Sequence, residues 1–528
     1  MPETWASSGV DLHLDRTGPR LRASLEDQLR EAVRSGRLAP GLRLPSSRSL
    51  AADLGVARNT VVDVYGQLAA EGWLVARQGS VTRVAGRAPA AEAAPARGGV
   101  RRRLRYDLRP GSPDVAAFPR SRWLAAARRA LNTAPAEAFG DAPDARGRPE
   151  LHQALAGYLA RARGVRVSPD RIVVCSGFTQ GLGLICQVLR ARGGTTLAME
   201  EYGLPDLRGI AAGHGLRTRL LPVDQGGAVL DTGGPGDTGR TGSPDGLGDA
   251  GAVLLTPAHQ FPLGGVLAPG RRTRAIEWAA RTGGFLIEDD YDGEFRYDRQ
   301  PVGAMQALGP EQVIYAGTAS KSLAPGLRLG WLVLPACLVE EVTAAKALTD
   351  RYSSSFDQLT LAEFLTSGAY DRQVRRSRLA YRRRRDHLVA AVRRQVPQAR
   401  VTGVAAGLHA LLELPPGLDE DEVIARAADR HDLALDGLRH YSPGAGPRRP
   451  ALVIGYATPP EHAFTGAVAR LVAVLTGGRP DPGDGLRAVR RGPGVEDRPA
   501  DLGAPPRSVR GVPAADQVVL ADRPVDVF

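Results

Sequence analysis

The stretch Ile314 to Trp331 reads IYAGTASKSLAPGLRLGW and holds Lys321, one of only two lysines among the sixty-nine basic residues of this chain; the other is Lys346. A chain so biased toward arginine keeps a lysine mainly where a guanidinium cannot serve. Arginine stays protonated, whereas a desolvated lysine amine can lose its proton and form a Schiff base with an aldehyde. Lys321 is therefore a candidate covalent anchor. The apolar run Val313 to Ala316 before it reads as a buried strand, and Thr318, Ser320, Ser322 and Arg328 flank it in sequence. Hydroxyls and an arginine around a lysine make a phosphate site as well as an amine site. A lone Ser-Lys-Ser equally suits a polar surface loop, so the rest of the chain decides.

From Tyr106 to about Gly477, apolar runs alternate with helical stretches. Candidate strands are Arg171 to Cys175, Thr195 to Met199, Ala252 to Thr256, Phe285 to Ile287, Val313 to Ala316 and Leu329 to Leu334. Such alternation predicts an α/β unit built on a mainly parallel sheet, with ligands outside the carboxyl ends of the strands. Chemistry-bearing residues follow these runs. After Cys175 come Ser176-Gly177-Phe178-Thr179-Gln180-Gly181 and a helix, whose free amides and dipole favour an anion, although the glycine spacing is not a dinucleotide fingerprint. After Ile287 come Glu288-Asp289-Asp290-Tyr291-Asp292, which are either solvated loop carboxylates or partners for a cationic group in the cleft.

The N-terminal part has its own pattern. Leu21, Leu25, Leu29 and Val33 line one helix face, stopped by Gly36 and Pro40-Gly41. Ser46 or Ser47 can cap a short helix through Leu54, Gly55 makes a turn, and a second helix runs from about Arg58 to Glu71. Val61, Val64, Tyr65 and Leu68 can face inward, leaving Arg58, Asn59 and Thr60 at the exposed first turn. Two short helices around a glycine, followed by strand, turn at Gln78-Gly79 and strand, predict a helix-turn-helix with a wing. Residues 1 to 105 carry seventeen arginines against ten acidic residues, part of a net charge of +12, and this asymmetry points to nucleic acid. The alternative is a helical protein-interaction domain with a solvated basic face.

These motifs carry two resemblances. SKSLAPGLRLGW resembles the pyridoxal-phosphate lysine segment of fold-type I aminotransferases. That resemblance implies that Lys321 carries pyridoxal 5'-phosphate as an internal aldimine. It also implies that Arg328, Gly177, Phe178 and Thr179 hold the phosphate, Asp289 pairs with the pyridine nitrogen and Tyr291 bonds the phenolic oxygen. Leu44-Pro45-Ser46-Ser47-Arg48, Arg58-Asn59-Thr60-Val61 and Glu71-Gly72-Trp73-Leu74 resemble the landmarks of the GntR-type winged helix. DNA contacts at Arg48 and Arg58, supported by Ser46, Asn59, Thr60 and Gly79, are what this second resemblance implies. Together with TPAHQFPLGG (256 to 265), the combination is similar to the MocR/GabR group of GntR regulators. This resemblance implies a head-to-tail homodimer.

Two positions depart from the pattern. Leu204 stands where the family stacks a tyrosine on the cofactor, with Tyr202 as a possible substitute. Val453 stands where related domains hold a carboxylate-gripping arginine, with Arg448 or Arg449 as candidates to replace it.

Three cysteines, Cys175, Cys186 and Cys337, offer neither a disulfide framework nor metal spacing and read as buried, reduced thiols. The start MPETWASSGVDLHLDR lacks signal-peptide regions and no apolar run would span a bilayer, so a cytoplasmic location is expected. The expected organisation is a winged helix-turn-helix, mostly α with a β wing, over 10–85 and a linker over 86–105 that ends in Arg101-Arg102-Arg103. A fold-type I aminotransferase-like domain with a small C-terminal α+β subdomain follows over 106–477, then a disordered tail over 478–528. Gly233 to Gly251 reads as a disordered insertion, and the arginines of the Tyr370 to Val396 helix as a solvated face. The expected function is a DNA-binding regulator that senses pyridoxal phosphate or an amine effector through Lys321. The alternatives are a working aminotransferase with an accessory DNA-binding domain, or a dead domain kept for dimerisation.

Overall fold

The computed structural model describes residues 21–75, 81–85, 104–141, 144–230, 247–297, 302–442, 444 and 449–478. The chain divides into two compact units, Met1–Arg103 and Leu104–Phe528.

In the first unit, α1 (Leu21–Arg34), α2 (Ser47–Leu54) and α3 (Arg58–Ala70) precede β1 (Leu74–Val75) and β2 (Arg83–Val84). The spacing of four in α1 buries Leu25, Leu29 and Val33, which pack with Leu50, Val61, Val64, Tyr65 and Leu68 of α2 and α3. Ser46 caps α2, its Oγ accepting from the Ser49 amide at 3.1 Å. Gly55 ends that helix in the left-handed region at φ 66°, where a Cβ would be strained. β1 and β2 pair antiparallel, Leu74 opposite Val84. The predicted turn at Gln78-Gly79, and with it candidate Gly79, lies outside the described residues, as do linker residues 86–103 and tail residues 479–528.

The second unit is built on seven strands: β3 (Ile172–Cys175), β4 (Thr196–Glu200), β5 (Arg217–Leu221), β6 (Ala250–Leu255), β7 (Phe285–Asp289), β8 (Val313–Thr318) and β9 (Gly330–Val333). Their order is β3-β9-β8-β7-β6-β4-β5. All neighbours are parallel except β9, which runs antiparallel to both β8 and β3. The sheet is buried on both faces, one against helix α4 (Phe178–Ala191). A smaller four-stranded sheet, 400–402, 410–413, 451–454 and 436–437, packs with the helices Ala369–Gln395 and Glu461–Thr476.

Three expectations need correction. Of the 233–251 stretch, 233–246 lies outside the described residues, but the rest is ordered. Leu247 is buried, and Asp249 accepts from Thr196 at 2.7 Å and pairs with Arg217 at 2.7 Å before β6 begins at Ala250. The arginines of the long helix are not all solvated: Arg384 is buried and bridges Asp114 and Glu461, each at 2.7 Å, because its guanidinium reaches back under residues 457–461. Cys337 is exposed, since it sits in a short surface turn ahead of the Val339–Thr349 helix, while Cys175 and Cys186 are buried. Among the described residues no helix is long and apolar enough to cross a membrane.

Candidate functional site

The sheet's carboxyl edge opens onto one cavity of about 330 Å³. Lys321, three residues beyond β8, enters it and donates from Nζ to the Gly111 carbonyl at 2.5 Å. Burial pulls its pKa down, with Asp289 and Asp292 opposing. An amine held in that balance can lose its proton, which nucleophilic use requires. Asp289, the last residue of β7, also lines the cavity. Burial pushes its carboxyl up to about 8, although the Lys321 charge works the other way. The Tyr291 hydroxyl donates to the His259 carbonyl at 3.0 Å and lies 3.2 Å from His259 Nδ1. Burial raises this phenol well above its ordinary range.

Between β3 and α4 the chain turns through Ser176 and Gly177, the latter at φ 84°. The Arg328 guanidinium stands over this glycine, so that an added Cβ would meet it at 3.1 to 3.2 Å. Arg328 is itself in the left-handed region at φ 51° and donates from Nη2 to the Ser176 carbonyl at 2.5 Å. Opposite, Thr318 Oγ1 donates to Ser320 Oγ at 2.9 Å and accepts from the Ser320 amide at 3.1 Å. Phe178, Thr179, Thr318, Ser320 and Arg328 line the same cavity as Lys321, Asp289 and Tyr291. Gly177 backs Arg328 without lining the cavity.

The two departures have distinct outcomes. Tyr202 and Leu204 both line the cavity, and Tyr202 packs beside Phe261 and Tyr441. Val453 is fully buried between Phe261, Leu411 and Leu438. Arg449 does not compensate: it reaches Glu413 at 3.6 Å, 73% exposed, and Arg448 lies outside the described residues.

Sequence reasoning missed several cavity residues. Glu200 ends β4, accepts from the Thr256 hydroxyl at 2.5 Å and Gln260 Nε2 at 3.3 Å, and is pushed by burial to about 7. Its position at the end of a buried strand was a signal that could have found it. Gly111 and His409 carried no such signal, because only the fold brings them to Lys321. His409, His259 and Asp292 present ligand-type atoms within 4.8 Å of one another. Both rings are already engaged, His259 Nδ1 on Asp292 at 2.8 Å and His409 Nε2 against the Pro262 carbonyl at 3.2 Å.

In the N-terminal unit, Arg48 on α2 and Arg58 and Asn59 on the first turn of α3 are exposed, and Thr60 is half-buried. Ser46 is exposed and committed to capping α2.

Residues 21–84 match the family of bacterial regulatory proteins, gntR family, and residues 115–440 match aminotransferase class I and II. The chain is 33% identical, over 85% of its length and 94% of the relative's, to the HTH-type pyridoxine biosynthesis transcriptional regulator PdxR of Corynebacterium glutamicum. It is a MocR-type transcriptional regulator of the GntR family. Another relative in this MocR-type group is MocR of Rhizobium meliloti, 32% identical over 83% of this chain and 90% of that protein. The aminotransferase-like half of this MocR-type chain is similar to the crystal structure of an archaeal alanine:glyoxylate aminotransferase. That likeness has a TM-score of 0.63 and 25% identity, covering 71% of this chain and 91% of that one.

Proposed function

We propose that this regulator binds pyridoxal phosphate through Lys321, and that occupation of the cavity, alone or with an amine or amino-acid effector, changes its affinity for a DNA operator. The observation that carries this reading is the meeting of Lys321, Asp289, Tyr291 and Arg328 in one cavity of a chain whose relatives are transcriptional regulators. The donor set fits the cofactor. Arg328, the Ser320 and Thr318 hydroxyls and the first amides of α4 suit a phosphate, with Gly177 keeping open the space a Cβ would fill. Lys321 suits an aldehyde, Asp289 a basic ring nitrogen and Tyr291 a phenolic oxygen. Bound there, pyridoxal phosphate would supply a reactive aldehyde and an electron-withdrawing ring. Asp289 would hold a proton on the ring nitrogen, and the lowered pKa of Lys321 would free its lone pair.

Arg48, Arg58, Ser46, Asn59, Thr60 and Gly79 are the proposed DNA contacts, the protein acting as a cytoplasmic homodimer. Allostery here requires the cofactor or effector to bind two arrangements of the protein unequally. The test is the absorbance spectrum of the full chain with added pyridoxal phosphate, compared with Lys321→Ala, followed by operator binding with and without cofactor. A band in the wild type alone, and a cofactor-dependent change in operator affinity, are expected. A band absent from both proteins would overturn the reading.

Efficient transamination is the second reading, favoured by the intact Lys321, Asp289 and Tyr291. The burial of Val453 in an apolar cluster counts against it, because at that position the chain offers a substrate carboxylate an alkyl group in place of a guanidinium. Turnover of an amino donor by the purified protein separates the two.

A further inference from the structure

Lys346, the second lysine, has no part in the proposed chemistry, yet its side chain is fully buried. It lies on the helix Val339–Thr349, which packs against α4. Its Nζ donates to Asp350 Oδ1 at 2.7 Å, Asp350 Oδ2 at 2.9 Å and Ser353 Oγ at 3.1 Å. An ammonium has three donors, and three acceptors meet it. A guanidinium presents five donors on a planar fork and would outnumber the three acceptors that meet this amine, leaving buried donors without partners. The chain's preference for arginine gives way here for a physical reason.

Asp350 passes the contact toward the cavity. Its Oδ2 accepts from Gln180 Nε2 at 2.7 Å, and Gln180 Oε1 accepts from the Ser176 amide at 2.6 Å. The Ser176 carbonyl accepts from Arg328. Ser176 is thus held on both of its peptide groups, by Gln180 from behind and by Arg328 from the cavity side. The amides left for an anion are those of the residues that follow, at the start of α4.

We propose that Lys346, through Asp350 and Gln180, is a positioning residue that holds the Ser176–Thr179 turn in its anion-binding shape, so that the cavity selects phosphorylated over unphosphorylated pyridoxal. This rests on the proposed function, since only a phosphate-bearing ligand would use the turn. Lys346 does not reach the ligand. Removing its charge leaves Asp350 without its cation, and Gln180 then loses its fixed partner.

The experiment titrates pyridoxal phosphate and pyridoxal separately into the full-length wild type, Lys346→Met and Gln180→Met, reading the absorbance band that depends on Lys321. Thermal unfolding is followed in parallel. The wild type should prefer the phosphorylated aldehyde, and both variants should lose about tenfold or more of that preference, the strength of one charge-assisted contact network, while binding pyridoxal unchanged. Lys346→Arg should not rescue. Gln180→Met keeps the Lys346–Asp350 pair intact and carries the test if Lys346→Met does not fold. An intact preference in Gln180→Met, or equal losses for both aldehydes, overturns the relay alone. A wild type with no band for either aldehyde overturns the proposed function, and the relay with it.

Discussion

Within Glu288-Asp289-Asp290-Tyr291-Asp292 each carboxylate has a different task, and composition gives no hint of the division. Glu288 accepts the amides of Met305 and Gln306, at 2.8 and 3.1 Å. Asp290 forms a buried bidentate pair with Arg163, whose Nε donates at 2.6 Å and Nη2 at 2.9 Å. Only Asp289 faces the cavity, because alternation along β7 turns it away from its neighbours. Its raised pKa has a measurable consequence in the cofactor-free protein. The folded carboxyl titrates near 8, against about 3.9 in the unfolded chain. The folded state therefore keeps a proton that the unfolded state releases, and the associated stability is fully present below pH 4 and is lost as pH rises through 8. Asp289→Asn removes that loss. Its melting temperature should exceed that of the wild type by about 2 °C or more at pH 9, with a smaller gap at pH 5, as read by calorimetry. A gap that narrows with rising pH would contradict the assignment.

At the scale of elements, sequence periodicity placed six of the seven sheet strands within about two residues and their mainly parallel arrangement. It missed β5, Arg217–Leu221, whose arginines break the apolar run, and did not mark the antiparallel strand. The Leu329 to Leu334 run is as apolar as the parallel strands of the sheet, and nothing local marks β9 as antiparallel to both of its neighbours. The register Gly330 opposite both Thr318 and Cys175 brings the start of β9 to the carboxyl edge of the others. Arg328 consequently stands beside Ser176 although it precedes its strand. The small sheet settles the meaning of Val453, which lies on the strand 451–454, flanked by 410–413 and 436–437. Val453→Arg would restore a family residue in sequence but bury an unpaired guanidinium. It should lower stability by about 3 kcal/mol or more, seen as a fall in the urea midpoint, without creating amino-acid binding. A stable variant that binds amino acids would show that the strand can turn that side chain to the cavity.

For the whole molecule, one chain assigned to MocR-type regulators carries both a basic N-terminal unit and an aminotransferase-like unit with its cavity. Arg58→Ala removes one exposed cation from the first turn of α3. Operator affinity should fall about tenfold, and the slope of log affinity against log salt should shrink by roughly 1, both read by fluorescence anisotropy. An unchanged slope would remove Arg58 from the phosphate contacts. The sequence by itself determined the two-part organisation, singled out Lys321 as the candidate anchor and marked the winged-helix landmarks, because those signals are local: helix periodicity, caps, glycine turns and a lysine among arginines. Tertiary structure alone decided that Gly111 accepts from Lys321 and His409 lines its cavity, that Arg384 is buried, and that Lys346 stands behind the Ser176 turn. Those partners are brought together by strand order and helix packing, and contacts spanning up to hundreds of residues leave no local trace in the order of the amino acids.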